Sequence, residues 1–189
     1  NWELIFWDNN SDDKSAAIFK SFKDKRLKYF CSKKTTTLYK ARNLAIQKTK
    51  GELISFLDVD DMWLKDKLIK QVPLFKNKKI GLVYSNFFKF FERNKKKVLA
   101  HKINLPEGKI TSEILKNYRV GILTVVIRKS FLPKGKKSLF DIKYDLLADF
   151  DFILNFSKKN NFLCINEPLA CYRIHEKQLQ KVKMVDQAE

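Results

Sequence analysis

Short apolar runs alternating with segments of helical spacing restrict this chain's fold more than any other feature. "WELIFW" at residues 2–7 and "RLKYFCS" at 26–32 read as strands, with the cap-rich turn "NNSDD" and the helix "KSAAIFKSF" between them. "TLYKARNLAIQKTKG" places Leu38, Ala41, Leu44 and Ala45 at helical spacing, and Gly51 stands where a left-handed C-terminal cap is expected. "ELISFL" at 52–57 and "IGLVYSNFF" at 80–88 are nearly continuous apolar runs, the pattern of strands covered on both faces. Between them, Pro73 should kink or end the helix "LKDKLIKQVPLF". This order predicts an α/β fold, Rossmann-like, with an open, mostly parallel central sheet flanked by helices and ligands bound beyond the carboxyl ends of its strands.

Beyond residue 90 the basic stretch "ERNKKKVLAHKINLPEGK" reads as an exposed loop or hairpin. Regular structure returns in "VGILTVVIRK", in the helix "DFDFILNFSKKN", and in the short strands "FLCI" and "LACYRI". The 189 residues suffice for one domain with a sizeable core, 1–189. The chain opens without Met and already inside a strand, which suggests that an upstream piece is missing.

Lys and Arg number 39 against 21 Asp and Glu, a net charge of +18. Such an excess attracts polyanions, whether nucleic acid, anionic lipid or phosphorylated substrate, although AT-rich coding would produce the same lysines with no partner. Cys31, Cys164 and Cys171 lack CxxC spacing and read as reduced core residues of a cytosolic protein. No apolar run approaches the roughly 18 residues that cross a bilayer. A cytoplasmic protein, soluble or peripheral on the inner face of the plasma membrane, is the expectation.

Against that positive background, "FLDVDDMW" gathers Asp58, Asp60 and Asp61 directly behind an apolar run. On a continuing strand, Asp58 and Asp60 would project to one face and Val59 to the other. Two carboxylates on one face repel unless a cation or a shared proton relieves them. Oxygen ligands suit Mg2+ or Mn2+. The same residues could instead cap the following helix. Three further readings stand beside a metal site: the first motif of haloacid dehalogenase-like phosphatases, with Met62 at odds with their pattern; a phosphorylated receiver domain; and a basic module binding RNA or membrane without catalysis.

The segments "FWDNNSDD", "ARNLAIQKTKGELISFLDVDDMWLKDKL", "IGLVYSNF" and "LLADFDFILNFSKKNNFLCINEPLACYRIHEKQ", in this order and spacing, resemble a family 2 glycosyltransferase with the GT-A fold. The resemblance covers nearly the whole chain, implies a nucleotide-sugar-binding part over 1–90 and an acceptor-side part over 91–189, and lacks the family's first strand and helix, a unit of roughly 30 residues.

What the resemblance implies is an inverting transfer from a nucleotide-diphosphate sugar, commonly a UDP-sugar, to a glycan or lipid-linked acceptor in surface polysaccharide synthesis. Nucleic acid is not an expected partner; an anionic membrane surface is. Asp8 matches the position contacting the nucleotide base, and Arg42 an arginine near base or phosphate. Asp58 and Asp60 match the DxD motif, the first facing ribose and the second the metal, with Asp61 able to share either role. His175 matches a C-terminal histidine completing metal or diphosphate binding, and Asp149 the base that deprotonates the acceptor. Ala148 stands where the family usually has Glu. Mn2+ or Mg2+ is the implied cofactor, stabilising charge on the leaving diphosphate.

Overall fold

The computed structural model describes residues 1–133, 138–144 and 146–176. The last residues of the motif ending in "HEKQ", and with them the end of the expected 91–189 part, lie outside the described residues. In chain order the elements are β1 (Leu4–Asp8), α1 (Ser15–Ser21), β2 (Leu27–Cys31), α2 (Leu38–Ile46), β3 (Leu53–Ser55), β4 (Met62–Trp63) and α3 (Lys67–Gln71). They continue as β5 (Ile80–Phe91), β6 (Lys96–Leu99), α4 (Thr111–Lys116), β7 (Val126–Arg128), α5 (Ala148–Ser157) and β8 (Asn161–Ile174). Among the described residues two compact units form, one from residues 1–54 and 129–152, the other from 55–128 and 153–176.

In the first unit, β1 and β2 pair in parallel, Leu4 opposite Leu27 through Asp8 opposite Cys31. The β-α-β crossover read from the sequence is thus present, and it leaves Asp8 at the carboxyl end of its strand. Helix α2 turns Tyr39, Ala41 and Asn43 inward. Asn43 grips the chain ahead of α5: its amide donates to Phe140 O at 2.7 Å, and its Oδ1 accepts from the N–H groups of Leu139 and Phe140 at 2.8 and 2.9 Å. A buried amide with its polar atoms paired fixes a loop that apolar contact alone would leave free to slide. Phe140 then packs on Tyr39 and Phe152.

The second unit has a mixed sheet in which β7, β5, β8 and β4 are successive neighbours and β6 pairs with β5. β5 and β8 are parallel, while β7 and β6 lie antiparallel to β5, and β4 antiparallel to β8. The α/β expectation holds, and the sheet is less parallel than the apolar runs suggested. The reason is local: β5 turns straight back into β6 through residues 92–95, with Lys95 at φ 56°, and a hairpin can only join antiparallel strands. "FLCI" and "LACYRI" belong to one long strand, β8.

Three local expectations are corrected. Helix α2 closes through Gln47 in right-handed conformation, and Gly51 has no positive φ; its N–H instead donates to Glu3 at 3.0 Å. The strand at 53 ends at Ser55, so Asp58 and Asp60 are not on its alternating faces. Cys31 is exposed, whereas Cys171 is buried; all three thiols are unbridged. Pro73 does end α3, which passes into a 3-10 turn over Val72–Lys76.

Candidate active site

The carboxylate cluster of the second unit lies on a turn. Asp61 N–H donates to Asp58 O at 3.1 Å, closing a reverse turn whose tip is Val59 and Asp60. Val59 is 87 % exposed, so an apolar side chain occupies the outermost point while the acids flank it. The turn crowds like charges because its backbone hydrogen bond, and not a strand ladder, sets their spacing.

The end of β8 arrives beside this turn. His175 Nε2 lies 3.1 Å from Asp60 Oδ2, joining two residues 115 positions apart. Two residues earlier, the backbone N–H of Arg173 donates to Asp61 Oδ1 at 3.0 Å. Asp61 is buried and so ties the turn to β8, while Asp60 is partly exposed and presents its carboxylate beside an imidazole. The Arg173 guanidinium reaches Glu92 at 3.4 Å.

Asp60 and His175 offer one oxygen and one nitrogen to a cation. Among the described residues no group of three or more His, Cys, Asp or Glu converges on one point. That set fits Mg2+ or Mn2+ held by one or two protein ligands together with substrate phosphates, and does not fit a cage made of protein alone. The chemistry of the two donors suits such a cation.

The first unit contains the other residues singled out in the sequence. Asp8 is 4 % exposed and accepts from the Tyr29 hydroxyl and from Ser11 N–H at 2.8 Å. Burial pushes its carboxyl up, but these hydrogen bonds outweigh burial and hold it below the usual carboxylate range. Arg42 lies with its guanidinium 5.4 Å from the Tyr39 ring centroid and 6.0 Å from that of Phe140.

Asp149 occupies the first turn of α5 and accepts a hydrogen bond from the Tyr39 hydroxyl at 2.9 Å. Burial, and next the neighbouring Asp149, push the Tyr39 phenol well above its ordinary value, so it remains a donor. Asp151 is two positions further, about 200° around a helix of 3.6 residues per turn.

Asp60 and His175 are thus brought together, with Asp61 beside them through the backbone; Asp149 and Arg42 each meet Tyr39. The sequence reading missed Tyr39, Arg173 and Lys67. Tyr39 immediately precedes "KARN" and carried a signal only as an aromatic beside that motif. Lys67 carried a clearer one: α3 buries Lys67 and Gln71 and exposes Ile69 at 74 %, the reverse of an ordinary surface helix.

An α/β scaffold with an acidic turn after a short strand and a histidine following the last strand has the architecture of GT-A enzymes. The sequence matches the profile described as Glycosyl transferase family 2 over residues 1–134. The chain belongs to that family, which separates it from the phosphatases whose first motif its "FLDVDDMW" also resembles. It is 29 % identical over 185 residues to WfgD of Escherichia coli, named a UDP-Glc:alpha-D-GlcNAc-diphosphoundecaprenol beta-1,3-glucosyltransferase, covering 97 % of this chain and 70 % of WfgD. It is 27 % identical over 178 residues to TuaG of Bacillus subtilis, named a putative teichuronic acid biosynthesis glycosyltransferase, covering 92 % and 68 %. Among solved structures, TarS of S. aureus superposes with a TM-score of 0.74 at 17 % identity, over 91 % of this chain and 31 % of TarS. TarS 1–349 in complex with UDP gives 0.71 at 16 %, over 91 % and 51 %, so the chain spans about half of that protein. The shared fold is GT-A.

Proposed function

We propose that the protein is an inverting glycosyltransferase that moves a sugar from a nucleotide-diphosphate donor, a UDP-sugar, to a glycan or lipid-linked acceptor in surface polysaccharide synthesis. The contact between Asp60 and His175 carries this reading most directly, because it joins the two segments that would hold a metal-diphosphate group. WfgD acts with UDP-Glc on a diphosphoundecaprenol-linked sugar by its name, and that favours a donor and acceptor of the same chemical classes here.

In this scheme Asp8 contacts the nucleotide base, Arg42 lies near base or phosphate, Asp58 faces the ribose, and Asp60 with His175 would hold Mn2+ or Mg2+. Asp61 has a backbone-anchoring contact that keeps the turn closed around either role. When bound, the metal supplies positive charge to the leaving diphosphate. Asp149 takes the proton from the acceptor hydroxyl. As that oxygen forms its bond to the anomeric carbon, the bond to the diphosphate breaks on the opposite side and configuration inverts. Tyr39 holds the carboxylate by its Oδ1.

The charge of +18 supports a peripheral seat on the anionic cytoplasmic membrane face, where a lipid-linked acceptor resides. No described helix is long and apolar enough to cross a membrane. A thermal-shift panel of UDP, GDP, CDP and dTDP, with and without Mn2+, tests the donor site: stabilisation by one nucleotide that requires metal is expected. Failure of all four would overturn the reading. Binding to vesicles should require acidic lipid and weaken with salt, and equal binding to neutral vesicles would remove the membrane role.

A further inference from the structure

The acidic turn is bracketed by two residues that share one buried cation. Ser55 precedes residues 56–61 and Trp63 follows them closely. Lys67, on the first turn of α3, is 1 % exposed. Its Nζ donates to Ser55 Oγ at 3.2 Å and lies 4.3 Å from the Trp63 ring centroid. One ammonium thus touches the residue where the chain enters the loop and the residue where it leaves.

Both brackets are tied down again on their far side. The Ser55 hydroxyl donates to Val125 O, and Trp63 Nε1 donates to Leu123 O at 2.9 Å. Gln71, one helical turn beyond Lys67 and fully buried, donates to the carbonyl between them, Thr124 O, at 2.8 Å. Three successive carbonyls therefore each accept one side-chain donor. Trp63 is also packed against Phe87, Leu123 and Ala170.

Lys67 has no carboxylate within ion-pairing distance among the described residues, and burial alone pushes its amine down to about 7. A buried ammonium with one hydroxyl and one ring face as partners opposes folding, since desolvation is offset only in part. An apolar side chain of similar length would remove that opposition. Stability is therefore a poor account of a lysine here.

We propose that Lys67 is a positioning residue of the donor site, fastening the two ends of the acidic loop so that Asp58 and Asp60 are presented together to a nucleoside diphosphate. This rests on the donor-site reading above. The carboxylates need a fixed spacing to act as a pair: the turn hydrogen bond and the contacts of Asp60 and Asp61 with the end of β8 hold the tip, and Lys67 holds the points where the chain enters and leaves. The ammonium links the loop's ends from behind, out of reach of the solvent that would screen a surface contact.

The test uses Lys67→Met and Ser55→Ala in the full chain. For Lys67→Met, thermal stability should be unchanged or higher while affinity for UDP with Mn2+ falls on the order of 10- to 100-fold, the range seen when residues supporting a metal site are removed. Ser55→Ala should weaken binding in the same direction, and the double variant should lose less than the two losses combined, because both act through one contact. Hydrogen exchange of the free protein supplies a second readout: Lys67→Met should speed exchange in residues 56–63 selectively. If wild type binds no nucleotide, the donor-site reading fails, while the exchange result still decides the role of Lys67. Lower stability with unchanged UDP affinity, or unchanged exchange in 56–63, would overturn the proposal.

Discussion

The acidic turn of the second unit and the start of α5 in the first unit both present carboxylates, but the two regions hold them in different ways. At the turn, three acids crowd within four residues; Asp60 lies beside an imidazole and Asp61 accepts from the backbone N–H of Arg173. At α5, Asp149 meets a neutral phenol, supplied by a tyrosine 110 residues earlier. Contacts with the end of β8 hold two of these carboxylates in one place, which suits the metal-and-diphosphate role proposed for the turn. A neutral O–H fixes one carboxylate oxygen in direction while adding no net charge, which suits the base role proposed for Asp149.

The comparison is broken most sharply at Asp149. Replacing it with Asn should lower transfer by a factor on the order of 10² to 10⁴ and leave nucleotide affinity intact, whereas Asp151→Asn should lose little. Steady-state transfer and nucleotide titration on both variants check this. Loss of activity in Asp151→Asn alone would exchange their roles.

Next comes the buried amine of the turn region. Below about pH 7 Lys67 is charged in both folded and unfolded chains, and the folded state bears the full desolvation cost. Between about 7 and the ordinary 10.5 the unfolded chain binds more protons, so this group makes stability rise with pH. Denaturant titrations should show wild type gaining on Lys67→Met across that window by on the order of a few kcal/mol. Ser55 and Trp63, which face the amine, do not titrate there. Parallel curves for the two proteins would contradict the shifted amine.

A smaller effect is expected from Asp60 and His175, the pair proposed to hold the metal. Asp60→Asn and His175→Ala should each weaken Mn2+-dependent stabilisation by nucleotide on the order of tenfold or more, with transfer falling in proportion. Chelation should abolish the same stabilisation in wild type. Nucleotide affinity indifferent to both changes would detach the turn from metal binding.

The mildest change is Tyr39→Phe, which deletes one hydroxyl hydrogen bond to a carboxylate. A loss of roughly tenfold in kcat with donor affinity unchanged is expected, as for a charge-assisted hydrogen bond of about 1.5 kcal/mol. Equal losses in kcat and donor affinity would mean that Tyr39 supports the nucleotide site instead.

How far the sequence revealed these regions follows from the range of the forces involved. The order of strands and helices was legible because each depends on neighbours in the chain, and Asp60 with His175 because both stand in motifs of recognisable spacing. The facing of Asp58 and Asp60 was misjudged because the run "ELISFL" is apolar beyond the point where pairing stops, and pleat alternation applies only to paired residues. The grip of Asn43 on residues 139 and 140, and of Tyr39 on Asp149, joins positions about a hundred residues apart. No periodicity reports such a pairing. In α3 a signal was present: Lys67 and Gln71 four apart, with Ile69 on the other side, mark a helix whose polar face turns inward.

The three carbonyls at 123–125 also bear on how the chain avoids misassembly. β7 begins at Val126, the residue after the last of them, and only two of its residues are registered against β5, Leu82 with Ile127 and Val83 with Val126. Two pairs are too few to exclude a neighbouring alignment, and a shift by one residue would turn each side chain to the opposite face. Such a slip would also carry Leu123, Thr124 and Val125 out of reach of Trp63, Gln71 and Ser55 at once. The donors therefore act as the teeth of a ratchet: three side chains outside the strand engage its approach in this alignment, and a slip would disengage all three together.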